Sequence, residues 1–296
     1  MEIHTLDLGF QGFPQAIAAY LVVGPEGPVL VETGPGSTLP ALEKALGEHG
    51  FAPHDIRHLL VTHIHLDHAG AAGWWAQQGA RIYVHHFGAK HLVDPSRLIS
   101  SARRIYGDRM EPLWGEILPA PEENVIPVSD GEEIWVCGMT FKALATPGHA
   151  LHHHVYQLGE VAFTGDAAGI ALPGATFVDL PAPPPEFDLE RWQETVQRIR
   201  MERFSTIYPT HFGPVRKVLS HLQTLEPLLQ EAAQTVLDRM EAGDSFDQMV
   251  KHYTDWNRRR ALQAGVSEEE FRRYKTVNPL HMSVSGIQRY WKRKES

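Results

Sequence analysis

The segment Thr62-His63-Ile64-His65-Leu66-Asp67-His68-Ala69-Gly70 places three imidazoles and one carboxylate within six residues. It follows the short run His58–Thr62, which reads as a buried strand, and it leads into Ala69–Gln78, which reads as a helix. His63 and His65 are two apart, so an extended backbone points both side chains the same way. Asp67 and His68 sit where the helix begins, and the small Ala69 and Gly70 let that helix approach closely. Ile64 and Leu66 alternate with the polar residues and can anchor the segment to a core. Four ligand-type residues at this spacing point to a metal site rather than to a solvated loop.

The surrounding pattern sets the fold class. Strands are expected at Ile3–Leu8, Ala16–Val23 and Pro28–Glu32, the last two joined by the turn Gly24-Pro25-Glu26-Gly27. A helix is expected over Ser37–His49, with Leu39, Leu42, Ala45 and Leu46 at helical spacing, and a strand over Arg81–His85. Residues 87–118, with Arg97, Arg103, Arg104 and Arg109, read as a helical insertion. Strands resume at Glu133–Cys137, Thr140–Thr146, His153–Leu158 and Val161–Thr164. Cys137 alternates with Val136 and reads as a core residue of the first of these. Leu172–Phe187 contains five prolines and must be a stiff loop. Leu189–Met201 reads as a helix and Ser205–Tyr208 as a strand. From Pro214 onward the chain is helical, with Val215, Val218, Leu222, Leu225, Leu229, Ala232 and Val236 forming an apolar stripe. Alternating strands and helices predict an α/β sandwich with helices outside.

Three further candidates each follow a strand: His149 in Thr146-Pro147-Gly148-His149, Asp166 in Thr164-Gly165-Asp166, and His211 in Pro209-Thr210-His211. Strand ends on one edge of a sheet converge, and layered α/β folds form sites there.

The order HxHxDH, a histidine in TPGH, an aspartate in TGD and a later histidine resembles the metallo-β-lactamase superfamily, over roughly residues 1–215. The resemblance implies an α/β fold of the αββα four-layer sandwich type. Residues 1–215 would be the catalytic domain and 216–296 a helical C-terminal extension. It implies His63, His65 and His149 on a first metal, Asp67, His68 and His211 on a second, and Asp166 bridging both. Five imidazoles and two carboxylates suit two divalent ions, zinc first, with iron or manganese also compatible. Such ions lower the pKa of bound water and polarise the bond under attack, so a bridging hydroxide is the expected nucleophile. Asp67 is the expected catalytic residue for the nucleophile's proton.

The sequence departs from the family at Glu32-Thr33-Gly34, where the family usually has D-T-G. That carboxylate commonly supports a metal-bound histidine, and glutamate is one methylene longer. Asp67-His68, with no ligand cysteine, argues against true β-lactamases. His65 excludes the flavodiiron pattern, and His211 argues against mononuclear persulfide dioxygenases. In the triplet His152-His153-His154, His152 and His154 would share a strand face, and His153 is the candidate for supporting a ligand or touching substrate.

The expected function is metal-dependent hydrolysis of a small ester, thioester or lactone. The alternatives are a phosphodiesterase or nuclease of the same superfamily, and a mononuclear-iron redox enzyme. The net charge of −9 disfavours nucleic acid as a partner, since its binding requires neutralising phosphates. Residues 1–250 carry 16 basic and 31 acidic residues, and residues 251–296 carry 11 and 5. A lone cysteine, no visible signal peptide and no long apolar run predict a cytoplasmic protein without a membrane partner. The C-terminal helices are expected to pack over the mouth of the metal site and set substrate choice. Alternatively, Leu280, Met282, Tyr290 and Trp291 would form a homodimer interface.

Overall fold

The computed structural model describes residues 1–174 and 176–295. Ala175, within the expected proline-rich loop, and Ser296 lie outside the described residues. The chain divides into two compact units, Met1–Ala145 with His152–Gly165, and Thr146–Leu151 with Asp166–Ser296.

The first unit opens with β1 (Glu2–Asp7), β2 (Ala18–Gly24) and β3 (Gly27–Val31), an antiparallel set. The Gly24–Gly27 turn closes the second hairpin in register. The chain then switches to parallel pairing: α1 (Leu39–Glu48) leads to β4 (His58–Leu60), and α2 (Leu66–Ala69) and α3 (Ala72–Gln77) lead to β5 (Arg81–His85). Next come α4 (His86–Val93), α5 (Ser96–Tyr106) and α6 (Met110–Trp114), the helical insertion, before β6 (Val125–Val128). The six strands lie in the order β1-β2-β3-β4-β5-β6. Parallel strands need a crossover, and the helices in this half of the unit supply it.

A second, antiparallel set of strands completes the unit: β7 (Glu133–Val136), β8 (Met139–Ala145), β9 (His154–Leu158) and β10 (Val161–Gly165). On β7, Ile134 and Val136 are buried while Trp135 is exposed, the alternation of a sheet with one covered face. The Tyr156 hydroxyl donates to Tyr83 O at 3.1 Å, and Tyr20 meets Phe163 with ring centroids 5.5 Å apart. The two sheets therefore share one core, the α/β sandwich that the alternation of elements predicts.

Four details differ from the sequence reading. The expected helix Ala69–Gln78 is two pieces, because the Ala71 amide donates to Gly34 O at 3.0 Å instead of continuing α2. Strand β6 has no counterpart among the expected strands; its Val-Ile-Pro-Val pairs with β5 at the sheet edge, where proline is tolerated. Cys137 is not a core strand residue. It has φ +51 in the turn after β7 and is half-buried. Val215 precedes the long helix and pairs with Ile207.

The second unit contains α7 (Leu189–Glu202), β11 (Thr206–Pro209), α8 (Val218–Glu241), α9 (Phe246–Gln263), α10 (Glu268–Val277) and α11 (Leu280–Lys294). The Asp188 side chain caps α7, and Ser245-Gln248 and Ser267-Glu270 form capping boxes on α9 and α10. The α8 stripe from Val218 to Val236 is buried, and α7, α9 and α11 pack on that helix. Leu280 and Tyr290 are buried, and the Trp291 indole donates to Ala233 O at 2.9 Å. Among the described residues no helix is long and apolar enough to cross a membrane.

Candidate metal centre

In the first unit the expected residues gather at the carboxyl end of β4. The Thr62 carbonyl is held by the His154 amide at 2.7 Å. His63 and His68 are fully buried, with ring centroids 4.0 Å apart, and His63 Nε2 lies 2.9 Å from His65 Nδ1. Helix α2 starts at this point: the amides of His68 and Ala69 both donate to His65 O. Asp67 sits in its first turn, with Oδ2 3.6 Å from His68 Nε2.

Glu32 organises this cluster. It leaves β3 with φ +67, is fully buried, and accepts the Thr62 amide at 3.3 Å. Its Oε1 also accepts the Thr62 hydroxyl and faces His68 Nδ1 at 3.2 Å. A carboxylate only accepts, so His68 carries its proton on Nδ1. The single Thr62 hydroxyl proton goes to Glu32, so Thr62 Oγ1 accepts from His63 Nδ1, 3.1 Å away. One carboxylate thus fixes two imidazoles in the tautomer that presents Nε2 as a lone pair. The neighbouring Thr33 and Gly34 amides and the Thr33 hydroxyl all donate to His68 O, pinning α2. The left-handed backbone at Glu32 goes with a side chain that reaches both residues despite its extra methylene.

The second unit holds the other three candidates. Asp166 Oδ2 lies 3.3 Å from His149 Nε2, and Oδ1 lies 3.6 Å from His211 Nε2. Each carboxylate oxygen therefore faces a different imidazole. His149 Nδ1 donates to Pro181 O at 2.8 Å, and the Trp192 ring meets the imidazole edge-on. Gly148, at φ +133, has no room for a side chain: a Cβ would stand 2.4 Å from Trp192 Cα. The Trp192 indole in turn donates to Ala167 O at 2.8 Å, and buried His221 of α8 bonds Ala168 O at 2.7 Å. Burial lowers the His221 pKa, so this imidazole is a neutral donor to the carbonyl. Helices α7 and α8 thus brace the backbone that follows Asp166.

The histidines of the 152–154 triplet are not surface groups. His152, His153 and His154 are all buried, and β9 begins only at His154. The His153 ring lies 4.9 Å from His63, and the His152 ring 5.7 Å from His65. Tyr106 escaped the sequence reading. Burial and the nearby Asp67 carboxylate push its phenol up to about 12, so it is a neutral donor near that aspartate. No sequence signal marks it, since it ends a helix whose other features are basic. The histidine and aspartate clusters have the donor chemistry of a divalent metal site.

A sequence profile described as the Metallo-beta-lactamase superfamily matches residues 12–211, and the chain belongs to that superfamily. The chain is 26% identical over 200 residues to a metallo-beta-lactamase fold-containing protein of Sulfurisphaera tokodaii, covering 66% of this chain and 72% of that protein. It is 26% identical over 170 residues to an atrochrysone carboxyl ACP thioesterase of Aspergillus fumigatus, covering 57% of this chain but only 31% of that protein. Its fold is similar to a metallo-beta-lactamase family protein of Thermus thermophilus, with TM-score 0.72 and 22% identity over 99% of this chain and 93% of the other.

Proposed function

We propose that this protein is a hydrolase of small esters, thioesters or lactones, dependent on two divalent metal ions. Zinc is the preferred ion, and iron and manganese suit the same donors. His63, His65 and His149 would hold one ion and Asp67, His68 and His211 the other, with Asp166 shared. The observation that carries the reading is the Asp166 carboxylate, whose two oxygens face His149 Nε2 and His211 Nε2 separately. A carboxylate so placed is suited to bridge two ions. The donor tautomers agree, because Nδ1 is already committed in His63, His68 and His149.

When bound, such ions lower the pKa of water and polarise the carbonyl under attack. The chain's own groups do the rest. Asp67, partly exposed beside buried His68, would accept the proton of the attacking water and return it to the leaving group. Tyr106, held neutral, can donate to the substrate oxygen on which negative charge develops. A thioester is favoured within the class by the similarity to a relative named as a thioesterase. The −9 charge weighs against phosphodiester polymers.

The test is a hydrolysis screen of the zinc-loaded chain across thioesters, lactones, phosphodiesters and cephalosporins, with oxygen uptake followed in parallel on iron-loaded protein. Turnover of a thioester or lactone with no oxygen uptake is expected. Turnover of phosphodiesters alone, or oxygen uptake by a chain holding a single iron, overturns the reading.

A further inference from the structure

The C-terminal helices reach the proposed metal ligand His149 through one backbone carbonyl. His149 donates from Nδ1 to Pro181 O at 2.8 Å, and a carbonyl only accepts, so this contact fixes the proton on Nδ1 and leaves Nε2 as the lone pair. The position of Pro181 is itself dictated from α11. The buried Ser283 hydroxyl stands 3.2 Å from Leu180 O and accepts the Ala182 amide at 3.2 Å, gripping the residues on either side of Pro181. Gly286, one turn further on, lies directly on that backbone: a Cβ there would be 2.1 Å from Ala182 O.

Asn278, just before α11, tightens the same grip. Its Nδ2 donates to Leu180 O at 3.1 Å and to Asp179 Oδ2 at 2.9 Å, and its Oδ1 lies 3.2 Å from the Ser283 hydroxyl. Asp179 Oδ1 accepts the Leu180 amide and Asn257 Nδ2 of α9. Ser283 is fully buried, and Asn278 and Asp179 very nearly so. A buried network this complete is rigid, because any shift leaves a polar group without a partner. Proline at position 181 offers its neighbours only a carbonyl, with no N–H to compete for a bond.

We propose that Ser283 and Asn278 are positioning residues for His149, acting through the Pro181 carbonyl to hold the imidazole in its metal-binding tautomer and orientation. The proposal rests on the reading of His149 as a ligand. It gives the C-terminal extension a defined task at the metal centre, separate from any contact with substrate.

The experiment titrates the full zinc-loaded chain against a chromophoric chelator, with thermal melts on the same samples. Partners behind a ligand typically change affinity by about 10–100-fold, and these stand one step further back. Ser283→Ala should weaken one of the two zinc ions by about tenfold and leave the other within twofold. Tyr290→Phe, which removes the bond from the same helix to Glu190, should leave both affinities unchanged. Ser283→Cys, which keeps the volume and weakens both hydrogen bonds, is judged by the same criteria where the alanine variant does not fold. Zinc affinities within twofold of wild type in a folded Ser283 variant overturn the proposal, and so do equal losses in the Ser283 and Tyr290 variants. If His149→Ala keeps both affinities, the ligand reading itself fails instead.

Discussion

Replacing Glu32 by glutamine isolates the role of its carboxylate without changing its shape. Oε1 takes the Thr62 hydroxyl and faces His68 Nδ1, and Oε2 takes the Thr62 amide at 3.3 Å. A glutamine can place its oxygen on the first pair, but its NH2 then meets the Thr62 amide, donor against donor. If it turns round, both the Thr62 hydroxyl and His68 Nδ1 lose their acceptor. Either way a buried donor is left unsatisfied, at a cost of about 1–3 kcal/mol. For a large domain that lowers Tm by about 2–4 °C per kcal/mol. The effect on metal should be larger, because the tautomers of both His63 and His68 depend on this group. We expect zinc affinity to fall about 10–100-fold in Glu32→Gln, measured by chelator competition alongside thermal melts. A variant with wild-type zinc affinity and unchanged Tm would refute the claim that Glu32 replaces the family aspartate.

Other changes separate the remaining roles. Asp67→Ala should keep the fold and lose about 10²–10⁴ in hydrolysis rate; near-normal turnover in a folded, metal-loaded variant contradicts its proton role. Tyr106→Phe should lower kcat while leaving metal content intact, and an unchanged kcat removes it from the site. Burial first, and then His86 and His152, lower the His85 pKa from 6.5 to about 4. Its neutral form is therefore the native one, and the stability it supports is present above pH 6.5 and lost as pH falls from there toward 4. Urea melts across that window should show a shallower acid decline in His85→Gln than in wild type, and parallel curves would count against this.

The candidate ligands were legible because each lies in a short local pattern at a strand end, and the strands themselves carry strong apolar periodicity. His63, His65, Asp67 and His68 announce themselves within six residues. The residues that orient them are another matter. Glu32 reaches His68 across 36 residues, Pro181 O reaches His149 across 32, and Ser283 reaches Leu180 across 103. No spacing rule connects such pairs, since they meet only when the chain has folded. Tyr106 was hidden for the same reason. The missed strand β6 shows a different limit: Pro127 weakens its pattern, and only its edge position makes it tolerable. The break between α2 and α3 is tertiary in cause, because Gly34 O takes the Ala71 amide.

The central claim is two metal ions held by seven named side chains. Elemental analysis of the chain after saturation with zinc and removal of excess tests it most directly, with His211→Ala measured beside the wild type. Two zinc ions per chain are expected, with a loss confined to one ion in the variant. At most one ion in the wild type, with His211→Ala unchanged, would contradict it.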